Sequence, residues 1–182
     1  MKVYFCLRHD HDILPESLKS IEAQTIKPEI IKVNGREVTG NTGKSERRYT
    51  PLRVIAETST RQDVLFLGSV CGDEFFCMSD RDVIHLKETN LFEMEQKLVE
   101  NKNLASVALS CDRYWGTGNE SDDYIQHINI GFCMFRAQMI NQIILEPPKP
   151  GSCLCVEVVK QTRKKGKFIY LDEVHRYIEE KE

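Results

Sequence analysis

The 182-residue sequence has no excess of one charge: 25 Lys and Arg stand against 28 Asp and Glu, a net charge of −3. A chain without a basic stripe lacks the field that drives sequence-independent binding to nucleic acid, which excludes a large polyanion as its main partner. No apolar run approaches the roughly 20 residues needed to span a bilayer. The apolar opening at residues 3–7 is broken at once by Arg8, His9, Asp10 and Asp12. That is unlike a secretory leader, so the expected compartment is the cytoplasm. Internal repeats, low-complexity segments and C-x-x-C pairs are also missing. The seven cysteines (Cys6, Cys71, Cys77, Cys111, Cys133, Cys153, Cys155) are odd in number and sit mostly inside apolar runs. They are expected to be buried thiols rather than a disulfide framework, with Cys153-x-Cys155 only a weak metal signal. At 41% hydrophobic and 29% charged residues, the composition excludes disorder, collagen-like repeats and a disulfide mini-scaffold. What is left is one compact enzyme or binding domain, long enough to bury a core.

Strand and helix signals alternate along it. Val3, Phe5 and Leu7 share one face, a strand pattern, and Leu14, Leu18 and Ile21 follow at helical spacing with Pro15 near the helix start. Residues 29–33 read as a short buried strand ending at the turn pair Asn34-Gly35. A polar loop with Gly40 and Gly43 then enters a basic cluster of Lys44, Arg47 and Arg48. Thr50 and Pro51 suit the start of a helix through Val54 and Ile55. The apolar runs at 64–67 and 75–78 are both expected to be strands. Asn90 and Glu93 resemble a capping box opening a helix with Leu91, Met94 and Leu98. Residues 104–109 and 128–135 are strand-like and flank a polar loop at 112–126, and Ile140, Ile143 and Ile144 mark a helix face. After the punctuation Pro147-Pro148-Lys149-Pro150-Gly151, Leu154, Val158 and Val159 share a helix face that closes at Arg163, Lys164, Lys165 and Gly166. Residues 168–171 form the last strand. The pattern predicts a single α/β domain, 1–182, with a mostly parallel central sheet flanked by helices. Such sheets bind ligands beyond the carboxyl ends of their strands.

The sharpest feature at such an end is Phe75-Phe76-Cys77-Met78-Ser79-Asp80-Arg81-Asp82. Alternate side chains of a strand point the same way, so Asp80 and Asp82 could converge on one hard cation. D-x-D also arises by chance, and an exposed turn or a helix cap is the alternative.

The order of the motifs resembles the glycosyltransferases of the GT-A fold, especially the large family 2 group. The helix Pro15-Glu16-Ser17-Leu18-Lys19-Ser20-Ile21-Glu22-Ala23-Gln24-Thr25, set between the strands at 2–7 and 29–33, is similar to that family's first β-α-β, with its SL.S...Q helix. Residues 75–82 resemble its D-x-D strand, and Asn129-Ile130-Gly131-Phe132-Cys133-Met134-Phe135-Arg136 its acceptor-side strand. Val156-Glu157 through Lys165-Gly166-Lys167-Phe168 resemble its late helix, glycine and strand. The resemblance covers nearly the whole chain. It implies a metal-dependent transfer of a sugar from a UDP- or GDP-sugar to a hydroxyl of a glycan, protein or small molecule, with Mn or Mg as cofactor. Asp80, Asp82 and His175 would hold the metal, and Asp80 would also contact the nucleotide ribose. His9, Asp10, Asn34 and Gly35 would line the base and ribose, and Lys44, Arg47 and Arg48 would approach the diphosphate. Asn34 stands where many members carry an aspartate. Residues 1–82 would form the nucleotide-binding part and 83–182 the acceptor side.

Inverting members place an acidic pair before the last basic helix. Counting back from Gly166, that pair falls on Leu154 and Cys155, neither of which can deprotonate a hydroxyl in that role. Glu157, Asp122 and Asp123 are the candidate bases. A relocated base, a retaining mechanism and loss of activity all remain open. Trp115, with Tyr114 and Tyr124 in the loop at 112–126, either stacks on a sugar or anchors the loop. The other function classes are a noncatalytic nucleotide-sugar or protein-binding domain, which the missing acidic pair favours, and a metal-dependent nucleotidyltransferase or nuclease. At 182 residues the chain resembles a minimal transferase of the kind viruses and prokaryotes carry, acting in the host cytoplasm if viral.

Overall fold

A computed structural model of the chain describes residues 1–7, 12–33, 38–39, 60–111, 131–143, 154–162 and 167–177. The described elements are β1 (Lys2–Cys6), α1 (Pro15–Glu22), β2 (Glu29–Val33), β3 (Val38–Thr39), α2 (Thr60–Ser69), β4 (Phe75–Asp80), β5 (Val83–Ile84), α3 (Asn90–Glu100), β6 (Leu104–Cys111), β7 (Phe132–Arg136), α4 (Ala137–Ile140), α5 (Leu154–Thr162) and β8 (Lys167–Tyr177). The strands lie in the order β3-β2-β1-β4-β7-β6-β8-β5. Strands β2, β1, β4, β6 and β8 run in one direction, and β7 runs against its neighbours β4 and β6. The mostly parallel α/β sheet expected from the alternation is the one observed.

Both sheet faces are buried, which explains why the strands read as near-continuous apolar runs. Val3, Phe5, Cys77, Phe132, Met134 and Val107 face one layer, with Ile21 of α1 and Leu91, Met94 and Leu98 of α3. Tyr4, Phe76, Met78, Cys133 and Phe135 face the other, with Val64, Leu65 and Leu67 of α2, Ile140 of α4 and Val158 and Val159 of α5. In this second layer Phe76 stacks on Phe135 at 5.4 Å and meets Tyr4 edge-on at 6.2 Å. Gly68 lets α2 lie directly on that ring, because a Cβ there would fall 2.1 Å from Phe76 Cε2. Gly72, at φ +79°, takes the left-handed turn between α2 and β4. Cys6, Cys71, Cys77 and Cys133 are thiols, the last two buried.

Three local expectations are corrected. The run at 64–67 is the middle of α2, not a strand. Joining the parallel neighbours β2 and β1 to β4 requires a crossover, and a short apolar run has no period that distinguishes helix from strand. The N-cap of helix α3 is Thr89, one residue earlier than expected; its hydroxyl caps no backbone N–H and instead donates to Glu93 Oε1 at 2.6 Å, while Asn90 is buried at the helix start. Finally, β4 stops at Asp80, and Asp82 lies in the turn before β5. Any convergence of the two carboxylates therefore depends on the turn rather than on strand alternation. The helix expected through Val54 and Ile55 and the loop holding Trp115 lie outside the described residues.

Candidate functional site

The carboxyl ends of β2, β1 and β4 form one row, with Val33 opposite Cys6 and Cys6 opposite Asp80. Asp80 is fixed there by its backbone, whose N–H donates to Gly131 O at 2.8 Å. The segment after it is braced by α1. Leu14 N–H donates to Arg81 O at 3.1 Å, and His85 N–H donates to Ser20 Oγ at 3.1 Å. Buried Gln24 donates to Lys87 O at 2.8 Å and accepts from Leu91 N–H at 3.0 Å. Ser20 of α1 and Gln24, two residues beyond its end, thus hold the chain that follows Asp82. Asp82 and Asp80 are both half-buried.

The carboxylate of Asp80 is engaged: Arg61 Nη2 donates to Asp80 Oδ2 at 2.6 Å. Arg61 stands in the first turn of α2, the end that the crossover delivers to the carboxyl edge. The sequence pattern does not point to Arg61, because an apolar run such as 64–67 reads equally well as a strand. The available signal was Asp63, an acid suited to the first turn of a helix.

His175 is placed by its backbone. It pairs with Cys111 at the end of β6, and two residues later Tyr177 pairs with Val83, the residue directly after Asp82. The strand bearing His175 therefore lies alongside the segment that leaves the D-x-D turn, offset by about 7 Å along β8. Among the described residues no group of three or more His, Cys, Asp or Glu side chains forms a metal cluster.

Glu157 lies in the first turn of α5 and accepts from Gln161 Nε2 at 2.8 Å. Because α5 leads into β8, that turn is at the carboxyl-edge end of the sheet. Beside the row, Lys32 Nζ donates to Asp12 Oδ1 at 2.6 Å and Ile13 N–H to the same oxygen at 2.8 Å, which holds the Asp12 carboxyl below its ordinary range. His9, Asp10, Asn34, Gly35, Lys44, Arg47, Arg48, Asp122 and Asp123 lie outside the described residues. No described helix is long and apolar enough to cross a membrane.

Five co-directional strands, with the reversed strand β7 among them and the short antiparallel strands β3 and β5 at the edges, form a GT-A-like α/β fold. Solved structures carry the same likeness. Glucosyl-3-phosphoglycerate synthase from Mycobacterium tuberculosis, in complex with Mg2+ and uridine diphosphate, is 10% identical with a TM-score of 0.55, over 99% of this chain and 72% of that one. A mannosyltransferase from Pyrobaculum calidifontis, in complex with GDP-Man and Mn2+, is 15% identical with a TM-score of 0.60, over 96% of this chain and 56% of that one. TarS from S. aureus is 9% identical with a TM-score of 0.62, over 98% of this chain and 37% of that one. No protein-family model matches the chain, and no curated protein matches it in sequence.

Proposed function

We propose that this chain is a metal-dependent glycosyltransferase that moves a sugar from a UDP- or GDP-sugar to an acceptor hydroxyl. The observation that carries the reading is the position of Asp80: backbone-anchored at the carboxyl edge of a GT-A sheet, one residue before the α1-braced turn that holds Asp82. Two carboxylates with an imidazole-bearing strand alongside fit a divalent ion in donor chemistry, the oxygens suiting Mg or Mn and the imidazole favouring Mn. Asp80, Asp82 and His175 would hold it. An ion bound there neutralises negative charge on the departing nucleoside diphosphate.

The remaining work falls to the chain. His9, Asp10, Asn34 and Gly35 follow β1 and β2 and line the base and ribose, which Asp80 also contacts, and Lys44, Arg47 and Arg48 approach the diphosphate. Residues 1–82 form the donor part and 83–182 the acceptor part. A retaining course needs no general base; in a single inverting displacement Glu157 or Asp123 accepts the acceptor's hydroxyl proton as that oxygen bonds to the anomeric carbon. The carbon–oxygen bond to the diphosphate breaks in the same displacement, the leaving group taking the electron pair. The acceptor is a glycan, a protein or a small molecule, not a nucleic acid, and the compartment is the cytoplasm, of the host if the protein is viral. Leu154 and Cys155, where an acidic pair would stand, favour as second reading a domain that binds the donor without turning it over.

A panel of UDP- and GDP-sugars, scored for Mn2+-dependent release of nucleoside diphosphate by wild type and Asp80→Asn, tests the reading. One donor turned over by wild type alone supports it. Mn2+-dependent donor binding without release selects the second reading. Release unaffected by Asp80→Asn refutes the proposed site.

A further inference from the structure

Resting on that reading, we propose that Arg61 competes with the metal for Asp80 and that the donor's diphosphate relieves the competition, so that Arg61 sets a positive coupling between metal and nucleotide. The Arg61–Asp80 pair is shielded: the side chains are 32% and 18% exposed, and the contact is 2.6 Å. Such a pair is stronger than a fully solvated one, whose attraction water and salt screen. Asp80 has little room to avoid it, because the β1–β4 ladder and the Gly131 carbonyl fix its backbone. Arg61 occupies one of the two carboxylate oxygens, and its charge repels a divalent ion bound to either of them, so the ion binds Asp80 more weakly while Arg61 stands unneutralised beside it.

Arg61 is also a cation in the first turn of a helix, where the backbone dipole already favours anions. Asp80 offsets that mismatch in the ion-free chain. With an ion at Asp80, the ion, the guanidinium and the helix start gather positive charge in one place, which favours a negative group there. A diphosphate supplies one in the geometry a guanidinium binds in two-pronged fashion. Each ligand thereby removes a penalty on the other, and the coupling is reciprocal.

The test is titration of Mn2+ followed by the electron paramagnetic resonance of the unbound ion, in wild type, Arg61→Gln and Arg61→Lys, each with and without UDP or GDP. Circular dichroism checks that each variant is folded. Arg61→Gln should bind Mn2+ alone about tenfold tighter than wild type, and nucleotide should then improve Mn2+ binding about tenfold less than it does in wild type. Arg61→Lys, which keeps the charge but loses the fork, should fall between them and carries the test if Arg61→Gln does not fold. Equal or weaker Mn2+ binding by the folded variants overturns the inference, while metal-coupled nucleotide binding in wild type leaves the transferase reading standing. A wild-type chain that takes up no Mn2+ even with nucleotide overturns both.

Discussion

Replacing Gly68 by alanine tests how α2, and with it Arg61, is seated on the sheet. The new Cβ would lie 2.1, 2.3 and 2.5 Å from Cε2, Cδ2 and Cζ of Phe76, against an ordinary contact beginning at 3.4 Å. The helix or the ring must give by about an ångström. The ring cannot swing away, since Phe135 stacks on one side and Tyr4 abuts it at 82°. Overpacking of this kind costs about 1–3 kcal/mol or more, and alanine's better helix propensity returns at most about 1 kcal/mol. The net expectation is a loss of about 2 kcal/mol, which for a chain of this length lowers Tm by about 4–8 °C. Scanning calorimetry reads the shift. A double-mutant cycle with Phe76→Leu isolates the clash, and the pair should show a favourable coupling of about 1 kcal/mol or more. A Gly68→Ala variant with unchanged or raised Tm and no coupling to Phe76 would refute the seating of α2 described here.

Other expectations follow from the polar network. Gln24→Leu leaves the buried Leu91 N–H without its acceptor and removes one of the donors to the Lys87 carbonyl, so urea unfolding should show a loss of about 1–3 kcal/mol. Arg136 is 7% exposed, donates to the carbonyls of Leu104, Leu98 and Asn101, and lies 5.1 Å from the centroid of the Phe75 ring. Arg136→Met should cost about 2–4 kcal/mol by urea unfolding, because the carbonyls ending α3 and starting β6 lose their donor. For Asp12 the sign follows from its lowered native-state value: the contribution to stability is present above the unfolded value near 4 and is lost as pH falls through the native one. Asp12→Asn should therefore lower Tm more at pH 7 than at pH 3, as pH-dependent melting curves would read.

What was legible in the sequence was local. Pro15 with Leu18 and Ile21 marks α1, the alternating Val3 and Phe5 mark β1, and Leu91, Met94 and Leu98 mark α3, because a period of two or of three to four survives wherever one face is buried. The D-x-D stood out because two carboxylates end an apolar run. What stayed hidden depends on contacts distant in sequence. Residues 64–67 are apolar whether strand or helix, and only the parallel placement of β1 and β4 decides between them. Arg61 reaches the site only because residues 60–69 form a helix that starts at the carboxyl edge. The two-residue strand β5 is too short to leave a pattern, yet its pairing with β8 is what brings the strand bearing His175 alongside the segment that leaves the D-x-D turn. Gln24 likewise looked like one polar helix residue among several until its partners at Lys87 and Leu91 appeared.

Asp80 and Asp82 are proposed to form the metal-dependent donor site of a GT-A transferase. Isothermal titration of UDP and of GDP into wild type, Asp80→Asn and Asp82→Asn, with and without Mn2+, addresses that role most directly. The account predicts that one nucleotide binds wild type at least tenfold tighter with Mn2+ than without, and that either substitution abolishes this gain. Nucleotide binding indifferent to Mn2+, or a Mn2+ gain that survives the loss of both carboxylates, would contradict it.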